Sequence, residues 1–112
     1  MSDLDHHGLL NLSEDRIAVY LIDEHSHEFK GGMEHREGNF MLLQGIVRNN
    51  FEKEIMKLNH LESRETRVVD FAEIDTQIRE LEAKRDKALE HLNNNESYYA
   101  DQIEAAIIIR SR

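Results

Sequence analysis

Histidine and acidic side chains are concentrated between residues 24 and 37, where they could bind a metal ion. Imidazole and carboxylate groups are the usual protein ligands of zinc, iron and manganese. Glu24 and His27 have the i,i+3 spacing that places two ligands on one face of a helix, as in helical bundles that hold two metal ions. The sequence therefore offers Glu24 and His27 as metal ligands, with further candidates at His25, Glu28 and His35.

The alternative for this segment is a solvated helix end followed by a loop. A pair of ligands at i,i+3 is common in so acidic a chain, and a site for two metal ions needs carboxylates from other helices. Glu54 and Glu73 are available for that role, but no pattern singles them out.

Other arrangements typical of enzymes are missing from the sequence. The chain has no cysteine, no Gly-x-Ser-x-Gly nucleophile motif, no His-Glu-x-x-His zinc motif and no glycine-rich phosphate loop. We therefore predict a protein with no catalytic residue and no cofactor, with zinc, iron or manganese as the alternative.

Two helices are predicted in the first half of the chain, over residues 13–30 and 39–62. Ser13 is a suitable N-cap for the first, although the β-branched residues at 16–23 would also suit a strand. Lys30-Gly31-Gly32 should end this helix. The second helix has apolar residues at every third or fourth position, namely Phe40, Leu43, Val47, Phe51, Ile55, Leu58 and Leu61.

Two further helices are predicted over residues 70–92 and 96–110. Asp70 and Glu73 form a pair like a capping box, and the apolar residues that follow have a heptad-like spacing. Three consecutive asparagines at 93–95 either break the helix or form a polar stretch within a longer one.

These elements predict an all-α fold. We expect three or four helices packed as an antiparallel helical hairpin or small bundle, with a long C-terminal helix that resembles a coiled coil. Residues 1–12 are predicted to be a flexible arm, and residues 13–112 a single helical domain. The chain contains no proline, which suits long helices.

The C-terminal helix predicts association, because residues 105–109 are apolar on more than one of its faces. A chain of 112 residues can bury only a modest core, so such a helix needs cover from the rest of the chain or from a second one. We predict a homodimer or higher oligomer, or a complex with another protein, with contacts at Tyr99, Ile103, Ile107, Phe51 and Ile55.

The formal net charge of −9 makes direct binding to nucleic acid unfavourable. No apolar run is long enough to span a membrane, and no signal-peptide pattern opens the chain, so a cytoplasmic protein is expected. The leading hypothesis is a non-catalytic protein–protein interaction protein, such as a small acidic helical adaptor, chaperone or inhibitor. The alternatives are a metal-binding helical protein and an acidic decoy that inhibits a nucleic-acid-binding protein, as phage anti-defence proteins do.

Overall fold

The computed structural model describes residues 4–64 and 71–111, and these residues form an all-α fold without strands. Two short 3-10 turns, at Ser26–Glu28 and Met33–His35, join the second helix to the third. The five α-helices are α1 His6–Asn11, α2 Glu14–Glu24, α3 Arg36–Arg64, α4 Phe71–Asn94 and α5 Glu96–Arg110.

Helix α2 begins as predicted and ends earlier than predicted. The Ser13 hydroxyl accepts a hydrogen bond from the Arg16 amide at 3.1 Å, which confirms the N-cap. The helix ends at Glu24 rather than near residue 30. No apolar residue lies between Ile22 and Phe29, so further helical turns would have had no side chain to bury. Phe29 is instead delivered to the core by extended backbone after the first 3-10 turn.

Helices α3 and α4 form the predicted antiparallel hairpin. Gln44 pairs with Asn93, and Glu52 lies opposite Arg85, so the position on α4 moves backward as the position on α3 advances. The predicted apolar stripe is the hairpin's core face from Phe40 to Ile55, whereas Leu58 is half-buried and Leu61 is 51% exposed. Helix α3 begins about one turn before the predicted residue 39. The proposed cap at Asp70 lies outside the described residues.

The N-terminal residues differ from the predicted flexible arm. Residues 6–11 form α1, which is capped by the Asp5 carboxylate, and Leu9 is fully buried in the core. Asn50 on α3 holds the start of this segment, since its side chain accepts from the Leu4 amide at 3.1 Å and donates to the Leu4 carbonyl at 2.8 Å. This glycine-containing segment is therefore held by the buried Asn50 amide, by Leu9 and by the partly buried leucines that pack beside it.

Asn95 breaks the C-terminal helix, which answers the question left open by the three asparagines. Its backbone leaves the helical region, and its side chain donates to the His91 carbonyl at 2.9 Å. Beyond this break α5 packs against α2, α3 and α4. The whole chain measures 54 × 27 × 21 Å, because the α3–α4 hairpin extends beyond the main core. None of the helices described is long and apolar enough to cross a membrane.

Candidate functional site

The histidine-rich segment has a different geometry from the one its spacing predicts. Because α2 ends at Glu24, no helix carries both Glu24 and His27 on one face. The structure pairs His25 with Glu28 instead, through Nδ1 and Oε2. His27 Nε2 lies 4.0 Å from that same carboxylate oxygen. The Glu28 carboxylate thus lies between two imidazoles, whereas Glu24 belongs to a separate element.

His35 lies beside this pair rather than joined to it. Its Nε2 is 3.8 Å from Oε1 of Glu34, and it shares an open depression of about 230 Å³ with Glu28 and Lys30. Within residues 4–64 and 71–111, no three His, Asp or Glu side chains are arranged to hold a metal ion. Metal binding by Glu24, His27 and their neighbours remains a prediction.

The predicted contact residues lie mostly inside the molecule. Tyr99, Ile103 and Phe51 have no exposed surface, and Ile55 is also buried. These side chains fill the core between α5, α2 and the hairpin. A partner could reach them only if the core opened, so among the five only Ile107, which is half-buried, is accessible in the folded chain.

Tyr99 connects three helices through its hydroxyl group. The hydroxyl donates to Asp15 Oδ1 on α2 at 2.6 Å and accepts from His91 Nε2 on α4 at 2.7 Å. Burial raises the pKa of Tyr99 well above its ordinary value, and the hydrogen bond to Asp15 raises it further. The phenol is therefore neutral and holds α5 in place. Sequence spacing gives no sign of this connection, because 84 residues separate Asp15 from Tyr99.

Arginine side chains at both ends of α5 also hold it against the body of the protein. Arg36 donates to Asp101 and to Glu104, each at 2.7 Å, and these hydrogen bonds raise the pKa of the guanidinium. Near the C-terminus, Arg110 Nη1 donates to the backbone carbonyls of Ser26 and Phe29. The buried face and the ends of α5 are thus satisfied by the chain itself.

The opposite side of α5 carries several exposed apolar side chains, with the carboxylate of Asp101 among them. Tyr98 is 48% exposed, Ile108 59% and Ile109 70%, and Ala105 is exposed between them. The spacing of these residues places them on one side of the helix. We call these four residues, Tyr98, Ala105, Ile108 and Ile109, the outer α5 face.

Apolar surface continues on both sides of the outer α5 face. On one side, Val19 and Tyr20 of α2 line an open depression of about 250 Å³ together with Ala105 and Ile109. On the other side, Met33, which is exposed, lines a second depression of about 260 Å³ with Ile108. Isolated exposed apolar side chains are ordinary, whereas groups of neighbouring ones are more often found at contact surfaces.

The sequence placed its predicted contact residues on the face of α5 that the fold buries, and binding of a partner by α5 stays a prediction. The signal was present in residues 105–109, since an apolar run of five cannot turn all its side chains toward one core. Tyr98 and Tyr99 gave the same signal, because adjacent residues on a helix point in different directions.

Comparison of the chain with models of known protein families, with curated proteins and with solved structures finds no match.

Proposed function

We propose that this chain is a non-catalytic interaction protein, an adaptor, chaperone or inhibitor, that acts through an exposed helical surface. The observation that supports this most strongly is the outer α5 face. Its two isoleucines remain more than half exposed although the core beneath them is complete. Exposed apolar surface costs solubility and free energy unless another molecule covers it.

The polar side chains near this surface support the same function. Arg36, Asp101 and Glu104 bind one another, and the Tyr99 hydroxyl is occupied by Asp15 and His91. Groups that are already paired within the fold have a structural role. The exposed residues of α5 include Tyr98, Ala105, Ile108 and Ile109, and apolar area of this kind suits binding to a protein surface.

Variant-dependent capture from cells tests this proposal. The chain would be expressed in the organism that encodes it, purified with whatever is bound, and compared by quantitative mass spectrometry with the variant Ile108→Asp/Ile109→Asp. Met56→Asp is a matched control, because Met56 is as exposed as Ile108 but lies on α3. We expect a bound protein, either another chain or a second copy, that the control retains and the double variant loses. Identical recovery from all three would contradict the proposal.

A metal-binding function is the second candidate, and the position of Glu28 between His25 and His27 favours it. Native mass spectrometry of the untagged protein tests it after zinc, iron or manganese has been added and removed by desalting. This function predicts stoichiometric metal that disappears in His25→Ala/Glu28→Ala. It also predicts that Glu24→Ala has no effect, because Glu24 belongs to a different element. Metal-free spectra for the unaltered protein would eliminate this candidate.

A further inference from the structure

We propose that the open depression above Gly45 on α3 binds a small amphipathic anion, meaning an apolar ring or chain that carries one carboxylate. The depression has a volume of about 390 Å³ and is lined by α3 and by residues 25 and 28. This volume lies within the range of about 300–1,000 Å³ that is usual for small-molecule sites. The site is separate from the outer α5 face, so its test does not depend on the proposed function.

Gly45 leaves space in this depression that the chain itself does not fill. It lies in the interior of α3, where glycine is less favourable than alanine or a longer helix former. A Cβ added at Gly45 would have no atom of the described residues within 4 Å, apart from its two neighbours and the backbone of its own helix. Packing within the protein therefore does not require glycine here, whereas a ligand lying against the α3 backbone would.

Apolar side chains surround Gly45 on the same side of α3. Met41 is 64% exposed, and Leu42 and Ile46 are half-buried. Met41 and Leu42 precede Gly45 by one helical turn, so their side chains border the space above it. A hydrocarbon group placed there would cover all three side chains and remove apolar area from water.

The polar groups around the depression favour an anion. Asn49 and Lys53 are exposed and lie one turn apart on α3, where an amide and an ammonium group can donate hydrogen bonds to one carboxylate. Glu28 is the one carboxylate among the described residues that line the depression, and it is paired with Nδ1 of His25. Although the formal net charge of the chain is −9, the apolar floor is thus bordered by donors and by a carboxylate that already has a partner.

Amide chemical shifts in nitrogen–proton correlation spectra test the ligand class and its position together. The probes are phenylacetate and octanoate, each compared with its uncharged amide, phenylacetamide or octanamide. We expect saturable shifts at residues 41–53, with a dissociation constant in the millimolar range or below. Each acid should bind at least about fivefold more tightly than its amide, because only the acid gains a charge-assisted hydrogen bond. The absence of shifts at these residues at about 10 mM acid would overturn the site, and equal affinities for acid and amide would overturn anion binding.

Substitution of two glycines in the same helix tests the depression itself. Gly45→Leu should fill the depression and abolish the shifts, and its side chain has room in the folded protein. Gly38→Leu is the matched control, because Gly38 also lies on α3 with nothing within 4 Å of an added Cβ, but it does not line this depression. The control should bind both acids normally, and circular dichroism checks that each variant is folded. Binding by a folded Gly45→Leu variant with unchanged affinity would show that the ligand lies elsewhere.

Lys53→Met tests recognition of the anion without filling the depression. The substitution keeps an unbranched apolar side chain and removes the ammonium group, so the affinity for each acid should fall to that of its amide. The affinity for the amide should stay the same. Unchanged affinity for the acid in this variant would contradict the role given to Lys53.

Discussion

At the scale of the residue, the hydroxyl of Tyr99 connects three helices of the described chain. It joins Asp15 of α2 to His91 of α4 from a position with no exposed surface. Because the hydroxyl donates to the carboxylate, it accepts from His91, so Nε2 of that imidazole carries the hydrogen. The tautomer of His91 is therefore set by a residue on another helix.

Removing this hydroxyl should destabilise the fold. Tyr99→Phe keeps the ring and leaves Asp15 and His91 without their partner, so we expect the free energy of unfolding to fall by about 1.5–3 kcal/mol. Urea denaturation followed by circular dichroism measures the change. Tyr98→Phe is the matched control, because its ring is exposed on the outer α5 face, and it should change the free energy by less than about 0.5 kcal/mol. Equal effects of the two substitutions would contradict the role given to Tyr99.

The Tyr99→Phe variant should also differ from the unaltered protein in how its free energy of unfolding depends on alkaline pH. The pKa of Tyr99 is raised in the folded state, so above pH 10, its ordinary value, the unfolded chain loses the phenolic proton while the folded chain keeps it. The stabilisation is therefore complete below pH 10 and declines as the pH rises further. The difference in stability between the unaltered protein and Tyr99→Phe should narrow in that range. A constant difference between pH 8 and pH 11 would show that Tyr99 is not protected from ionisation.

At the scale of the element, two buried asparagines on one side of α3 fasten the irregular parts of the chain. Asn39 binds the amide and the carbonyl of Lys30, and Asn50 does the same for Leu4. Eleven residues separate the two asparagines, which is close to three helical turns, so both project in nearly the same direction. Each asparagine side chain takes the place of the backbone hydrogen-bond partner that a non-helical segment lacks.

Loss of one of these asparagines should release the segment that it holds. Asn50→Ala leaves the Leu4 amide and carbonyl without partners, so hydrogen exchange at residues 4–12 should become faster while α3 and α4 stay protected. The free energy of unfolding should fall by about 1–3 kcal/mol. Asn49→Ala is the control one position away, where the side chain is exposed. If exchange at residues 4–12 is unchanged, α1 is held by Leu9 alone.

The helices of this chain could be predicted where a cap or an apolar stripe is determined by residues close together in the sequence. The cap at Ser13, the stripe of α3 and the start of α5 all follow from residues within a few positions of each other. The docking of α1 and the inner face of α5 could not be found in this way. Both depend on partners far along the chain, namely Asn50 for Leu4 and Asp15 for Tyr99.

The candidate metal site could likewise be predicted only in part from residues close together in the sequence. Residues 25–28 were correctly grouped as a local cluster, but the pairing inside it changed when α2 ended at Glu24. An error of a few residues in a predicted helix boundary changes the predicted fold little. It does change which residue lies at i,i+3 on the same face of the helix. Predictions that depend on which residues share a helical face are therefore the ones most affected by boundary errors.

At the scale of the whole molecule, charge is distributed unevenly. Residues 51–85 hold nine acidic and seven basic side chains, whereas the rest of the chain holds 14 acidic and seven basic ones. The part that contains α5 is therefore strongly acidic. Two copies that met through α5 would bring these acidic surfaces toward each other, and apolar contact would have to overcome the repulsion.

Salt should therefore distinguish self-association from the acidic-decoy hypothesis. Repulsion between two acidic bodies is screened beyond about 8 Å at physiological ionic strength and acts over longer distances in dilute buffer. Raising the salt concentration from about 0.05 M to about 0.5 M should leave the dimer equally tight or make it up to several-fold tighter. A decoy that binds a basic protein through carboxylates would instead lose affinity steeply over that range. Sedimentation equilibrium at both salt concentrations measures the effect on the dimer. Strong weakening would mean that ion pairs, rather than the two isoleucines, hold the copies together.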